Sequence, residues 1–376
     1  MRIRALIAAL VLALTPMPLV ADTDPVFAAR KAAEDLTAAS RALKDAREAR
    51  DQISALSRAI KAYEDGLTAM RDSLRKAAIR AHSLRMEFDA RQAELSRLLG
   101  VIQTLERATS PLLLIHPSGP LGTARSGQLL SEITPALVAK TEDLRAQIEE
   151  LALLTALQTT ALEDLKAGLA GVQDARVALA TAIADRTNLP RRYAADPDRL
   201  QLLAANAETL NGFASGLADL PFDETGDDPV DFDAMKGQLP LPVYGTLLRD
   251  YQEADAAGVR RPGILISAPP VSLVTSPVAA TIRYLGPLLD YGNVIILEPE
   301  AGYLIVLAGL GQVYGEVGQI LGQGEPVGLL RGTDPAAGDF LVEAREGSRE
   351  IQAETLYIEI RAERDAVDPG IWFALR

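Results

Sequence analysis

The chain has no cysteine, and only two histidines, His82 and His116, in 376 residues. Without cysteine there are no disulfides and no thiolate nucleophile or thiolate metal ligand. From residue 117 onward there is no imidazole at all. Aromatic residues make up only 5% of the chain, and basic residues are outnumbered, 38 against 51 acidic, for a net charge of −13. No basic patch interrupts that balance, which argues against nucleic acid as a partner and against electrostatic adhesion to anionic lipid.

Long apolar runs are missing too, except at the start. In MRIRALIAALVLALTPMPLVA, Arg2 and Arg4 precede an apolar stretch from Ala5 to Leu14, and small residues close the segment at Ala21. That is the layout of a cleavable secretory signal, residues 1–21, although Leu19 is larger than the usual residue at its position. A membrane anchor is the other reading, opposed by Pro16 and Pro18 and by the short apolar span. Loss of Arg2 and Arg4 would take the net charge from −13 to −15. An exported chain without disulfides but rich in long helices suits a bacterial periplasm.

What the chain has in abundance is alanine and leucine at helical spacing. From Ile53 to Leu105 the steps alternate three and four through Leu56, Ile60, Tyr63, Leu67, Met70, Leu74, Ala77, Ala81, Leu84, Phe88, Leu95, Leu98 and Ile102, broken only at Arg91. Sustained over this length the pattern is a coiled-coil seam, roughly 80 Å long at 1.5 Å per residue. The Ala-rich sequence from about Pro25 extends it, so residues 22–110 read as one long helix. A second seam runs through Leu137, Leu144, Ile148, Leu151, Leu162, Leu165, Leu169, Val172, Leu179 and Ile183, with Arg176 among its weaker positions, until Pro190 ends it. Residues 137–189 are thus a second coil helix. Two seams of similar length predict an antiparallel hairpin; a parallel dimer of the first helix is the alternative.

Between them, residues 111–136 are too long for an ordinary helix connection. Leu112, Leu113, Leu114 and Ile115 are apolar where a tip would be solvated, with Leu129 and Leu130 following. Such a tip is either a docking site or buries itself under a short helix over Ala124–Ile133. Residues 190–235 then hold one amphipathic helix with a stripe of Leu200, Leu203, Ala207, Leu210, Ala214 and Leu217, followed by an acidic, turn-rich linker. From residue 236 to 376 short β-type runs such as VIILEP, YLIVLAGL and TLYIEIR alternate with turns.

Four stretches of this last region, KGQLPLPVYG, VAATIRYLGPLLDYGNVIILEPEAGYLIVLAGL, GQGEPVGLL and TLYIEIR with AVDPGIWF beyond it, resemble the LytM, or lysostaphin-like, zinc peptidase domain in order and spacing. The resemblance implies metal ligands at Arg261, Leu265, Thr355 and Tyr357, and further histidines at Pro299 and Gly309. None of these residues is a zinc ligand, so no metal, no other cofactor and no peptidase activity is expected. The chain as a whole is expected to be an α+β multidomain protein, a long antiparallel coiled-coil hairpin followed by a mainly-β degenerate LytM domain.

Signal, hairpin, apolar tip and ligand-less LytM domain together resemble the EnvC-like activators of cell-wall amidases. What that resemblance implies is a tip docked on the periplasmic loop of the FtsEX complex. It further implies a groove that binds a periplasmic zinc amidase, and a helix, carrying Leu200, Leu203, Leu210 and Leu217, that covers the groove. The groove candidates are Leu265, Tyr291, Tyr357 and Arg361; Tyr and Arg are frequent interface anchors. Plain packing remains open for each of them, including a pairing of Arg361 with Glu359 or Glu363. The alternative function is a peptidoglycan-binding scaffold at the division site; an unconventional hydrolase is opposed by the missing histidines.

Overall fold

The computed structural model describes residues 25–48, 51–107, 119–186, 197–218, 231–333 and 353–374. It shows a helical N-terminal region and a mainly-β domain built on an antiparallel sheet. Among the described residues no helix is long and apolar enough to cross a membrane. The expected signal segment 1–21 and the tip residues Leu112, Leu113, Leu114 and Ile115 lie outside the described residues.

Three helices make the N-terminal region: α1 (Pro25–Glu48), α2 (Gln52–Arg107) and α3 (Gly119–Ala184). The expectation of one continuous first helix is corrected at its start. α1 ends before residue 49, the backbone N–H of Ser54 donates to Asp51 Oδ1 as α2 begins (3.3 Å), and α1 folds back so that Leu36 packs on Gly66 and Leu67. The physical cause is an apolar stripe on α1 that packs into the same core as the α2 seam. Ala32, Leu36, Ala39, Leu43 and Ala46 of α1 are buried and join a cluster with Ala59, Ile60, Leu67 and Met70. Small alanines at every second seam position let the helices approach closely.

α2 and α3 run in opposite directions. Arg91 meets Asp143 at 2.7 Å, Arg80 meets Glu150 at 2.7 Å, and Glu64 meets Arg176 at 3.1 Å. The expected division between a tip helix and a second coil helix at residue 137 is also corrected. α3 begins at Gly119 and passes through Pro135, which forgoes only the bond its missing N–H would have given to residue 131. Leu129 and Leu130 therefore belong to α3.

The expected single helix over residues 198–217 is two helices, α4 (Pro197–Asn206) and α5 (Leu210–Ala218). Thr209 causes the break: its Oγ1 accepts from the N–H of Gly212 at 3.0 Å and caps α5. The apolar stripe carries on across the break, so both helices still face the same way.

Among the described residues the sheet holds ten strands: β1 (Thr246–Arg249), β2 (Ile264–Ala268), β3 (Leu273–Thr275), β4 (Ala280–Pro287), β5 (Asn293–Glu298), β6 (Tyr303–Val313), β7 (Ile320–Leu321), β8 (Pro326–Leu330), β9 (Glu354–Ala362) and β10 (Asp365–Val367). The main order is β1-β2-β9-β6-β5-β4-β7, all antiparallel, with β8 joining β6 to β3 and β10 beside β9. β6 changes partner at Gly309: Ala308 pairs with Tyr357 of β9, and Leu310 with Leu330 of β8. Gly309 sits at φ 102°, and a Cβ there would lie 2.4 Å from the Thr355 carbonyl oxygen. Only glycine fits this crossing. No histidine can occupy the position in this backbone.

Strand alternation divides the sheet into two faces. Ile264, Ile266, Ile282, Ile295, Leu297, Ile305, Leu307, Leu356, Ile358 and Ile360 line one, where Phe232, Leu239, Trp372 and Phe373 join them in the main core. Val294, Ile296, Leu304, Val306, Ala308 and Tyr357 line the other, and α4 and α5 cover it.

Candidate functional site

The second face is the candidate site, because the positions that the LytM resemblance assigns to metal ligands converge there. β2 pairs with β9 so that Leu265 is opposite Tyr357 and Ser267 opposite Thr355. Arg261 lies just before β2, its guanidinium carbon 5.9 Å from the centre of the Tyr291 ring. Tyr291 in turn lies 5.9 Å from Tyr357, ring centre to ring centre. Leu265, Tyr291 and Tyr357 therefore form one patch, with Arg261 at its exposed rim and Thr355 two residues before Tyr357 on β9. Pro299 is buried at the end of β5, and His82 is exposed on α2, far along the chain from this patch. Among the described residues no group of three or more His, Cys, Asp or Glu is placed to hold a metal.

Further along β9 the floor becomes polar. Tyr357 Oη donates to Glu359 Oε2 at 2.7 Å, and Arg361 Nη1 donates to Glu359 Oε1 at 2.8 Å. Burial, reinforced by the Glu359 carboxylate, pushes the Tyr357 phenol well above its usual range, so it stays a neutral donor. On β4 and β5 a second ion pair joins Arg283 to Glu298 at 2.7 Å. Arg283 and Arg361 are the largest fully buried side chains in the described residues, which for arginine requires ionic or hydrogen-bond partners.

Helix α5 supplies some of those partners. Arg361 Nη2 donates to Ser215 Oγ at 3.0 Å and also to the carbonyl of Arg364. Arg283 Nη2 donates to the Leu217 carbonyl at 3.1 Å, where the last turn of α5 leaves carbonyls without helical partners. The apolar side of the same helix places Phe213 edge-on to Tyr284, ring centres 4.7 Å apart at 70°, with Leu210 and Leu217 buried beside it. Leu200 of α4 is buried in the same cluster and Leu203 is partly buried there. The structure thus places the four leucines of the expected covering helix on the face that holds the expected groove residues.

Two expectations are refined. Tyr357 is 5% exposed and Arg361 0%, so neither presents a free surface in this structure. The Arg361–Glu359 pairing read as an alternative on a solvated face exists, but the face is covered rather than solvated. Sequence reasoning passed over Phe213, Ser215, Arg283 and Glu298. The polar row had no local signal, since Arg283 meets Glu298 and Leu217 only once the sheet is paired; Phe213, an aromatic three residues after Leu210, was visible in the helix stripe.

Residues 260–369 match the family described as Peptidase family M23. An uncharacterized protein of Neisseria meningitidis serogroup B is 25% identical over 141 residues, which is 38% of this chain and 21% of that protein, so the chain spans about a fifth of this curated relative's length. A Pseudomonas aeruginosa structure assigned to peptidase M23 is 15% identical, with 48% of this chain and 63% of that one covered and a TM-score of 0.32. A zinc-containing peptidase from Vibrio cholerae is 16% identical, with 37% and 39% covered and a TM-score of 0.28. The family match assigns residues 260–369 to an M23, LytM-like, domain, and the resemblance would put its metal-ligand positions at Arg261, Leu265, Thr355 and Tyr357.

Proposed function

We propose that this protein is a non-catalytic activator of periplasmic peptidoglycan amidases in cell division and daughter-cell separation. Its LytM-like groove binds a zinc N-acetylmuramoyl-L-alanine amidase, and α4 and α5 restrain that binding. The antiparallel pairing of α2 and α3 supports a coiled-coil hairpin whose tip, with Leu112, Leu113, Leu114, Ile115, Leu129 and Leu130, docks on FtsEX. A signal peptide at residues 1–21 delivers the chain to the periplasm. The observation that carries the reading is the position of α5. It covers the sheet face that carries Leu265, Tyr291 and Tyr357, where the LytM resemblance would put the metal, and it is held there by two arginines of that face and an aromatic contact. A sheet face that lacks catalytic ligands yet is occupied by a helix is organised for exchanging one bound segment for another.

Release of dye from labelled peptidoglycan by a periplasmic zinc amidase tests the proposal. The amidase is assayed alone, with the wild-type chain, and with a Phe213→Asp chain in which the cover is weakened. A cover contributing about 3 kcal/mol would suppress groove binding roughly a hundredfold, so the variant is expected to stimulate at far lower concentration than wild type. No stimulation by either chain, with both binding peptidoglycan, would replace activation by a scaffold role. Dye release without amidase would contradict the non-catalytic reading.

A further inference from the structure

A second contact joins the sheet domain to the base of the helices, in a cluster separate from the one beneath α5. Val271, Leu273, Tyr314 and Leu329 of the sheet domain pack into the same cluster as Tyr63, Leu67 and Val172 of α2 and α3. Glu64 of α2 and Arg176 of α3 form a buried ion pair at 3.1 Å. The same Glu64 oxygen accepts from the backbone N–H of Leu273 of β3 at 2.8 Å. Both donors favour the ionised carboxylate, so a backbone group of the sheet domain completes an ion pair of the helices. Arg186, just past α3, approaches Glu325 of the sheet domain to 3.7 Å. Val271, two residues before Leu273, holds φ 61°, a left-handed conformation that is costly for a β-branched residue. Such strain persists only where the surroundings hold it, and the Val271 side chain is held against the helical cluster.

We propose that this contact at the helix base and the α4–α5 cover are two coupled latches, each holding the other closed. Connectivity carries the argument. α3 ends at Ala184 and α4 begins at Pro197, so the cover follows the helical base after residues 185–196 alone. On the other side, β3 of the base contact pairs with β8 and β8 with β6, and β6 carries Val306 and Ala308 of the covered face. While the base contact is closed, the start of the cover is held on a short tether from the face it covers. Its effective concentration there is raised accordingly. By linkage, a closed cover strengthens the base contact by the same factor. Separation of the helices from the sheet domain at Glu64 then loosens the cover without anything touching the groove. The inference rests on α4 and α5 opening as a cover, and not on what the groove binds.

Hydrogen exchange in the full chain tests the coupling without any amidase, so its failure is distinct from a failure of the activation assay. Val271→Asp suits the left-handed backbone better than valine and sets a carboxylate against the apolar cluster, which weakens the base contact from the sheet side. Exchange is expected to quicken at the Leu273 amide, which donates to Glu64, and about tenfold at the amides of residues 210–218, both measured relative to Ile296 and Val306 of the sheet. Phe213→Asp, which weakens the cover, is expected to quicken Leu273 by a similar factor, because the coupling is reciprocal. Unchanged exchange of residues 210–218 in Val271→Asp overturns the proposal, whether or not Leu273 responds. Unchanged exchange of Leu273 in Phe213→Asp overturns it too, and that arm decides alone if Val271→Asp does not fold.

Discussion

The two faces of the sheet are buried by different means. On one, aliphatic residues of β2, β4, β5, β6 and β9 close against Phe232, Leu239, Trp372 and Phe373 of the same domain. On the other, aliphatic residues of β5 and β6 share the surface with Arg283–Glu298 and Glu359–Arg361, and the covering comes from α4 and α5, earlier in the chain. The first arrangement gains free energy from every atom it removes from water. The second spends part of that gain on desolvating two ion pairs. It also leaves guanidinium N–H groups that Ser215 and the end of α5 satisfy. A face built this way is closed by a helix that matches its polar groups, and another helix end with similar groups could replace it. The permanent core needs no such match.

The sharpest way to break the comparison is to remove one member of the polar row. Arg361→Ala leaves Glu359 buried without its cation and is expected to cost about 4 kcal/mol in denaturant unfolding. Replacing both, as Arg361→Met with Glu359→Leu, makes the second face resemble the first. That pair is expected to restore most of the loss, while lowering the match to α5. On the first face, Leu307→Ala is expected to cost about 3 kcal/mol of global stability, with no selective effect on the cover, as read by thermal unfolding and proteolysis together. Leu217→Ala should act the other way round. It should cost about 2 kcal/mol against opening of α5, seen as faster proteolysis within residues 210–218, while the sheet melts nearly unchanged. The smallest effect is expected from Thr209→Ala, which removes the α5 cap and costs about 1 kcal/mol, again confined to the cover.

How much of this was legible depended on how local the determinant was. The seam from Leu56 to Leu84 and the alternation of Leu356, Ile358 and Ile360 follow from periods carried in single segments, and the structure buries those residues accordingly. The fold-back of α1 was hidden because Leu36 and Leu43 keep the same three-four spacing as α2. The sign available was Asp51 three residues before Ser54, a cap inside an apparently unbroken helix. Thr209 is a second hidden cap, masked by the stripe that continues from Leu203 to Leu210. The polar row under α5 and the contact of Glu64 with the sheet domain could not be read locally, since Arg283 meets Leu217 across 66 positions of sequence and Leu273 meets Glu64 across 209. The trace of the first is absent, since Arg361 falls on the face of β9 opposite Leu356, Ile358 and Ile360, where charge is ordinary; the trace of the second is Arg176, a charge within its heptad seam.

The account turns on whether α4 and α5 open as a unit separate from the sheet they cover. Hydrogen exchange across the full chain, resolved to residues 210–218 and to β5 and β6, measures this directly. The account predicts that the amides of α5 exchange through an opening several kcal/mol cheaper than the global unfolding that governs Ile296 and Val306. Exchange of α5 together with those strands, at a single common free energy, would make the covering helices a fixed part of the core and would contradict the reading of this face as a gated groove.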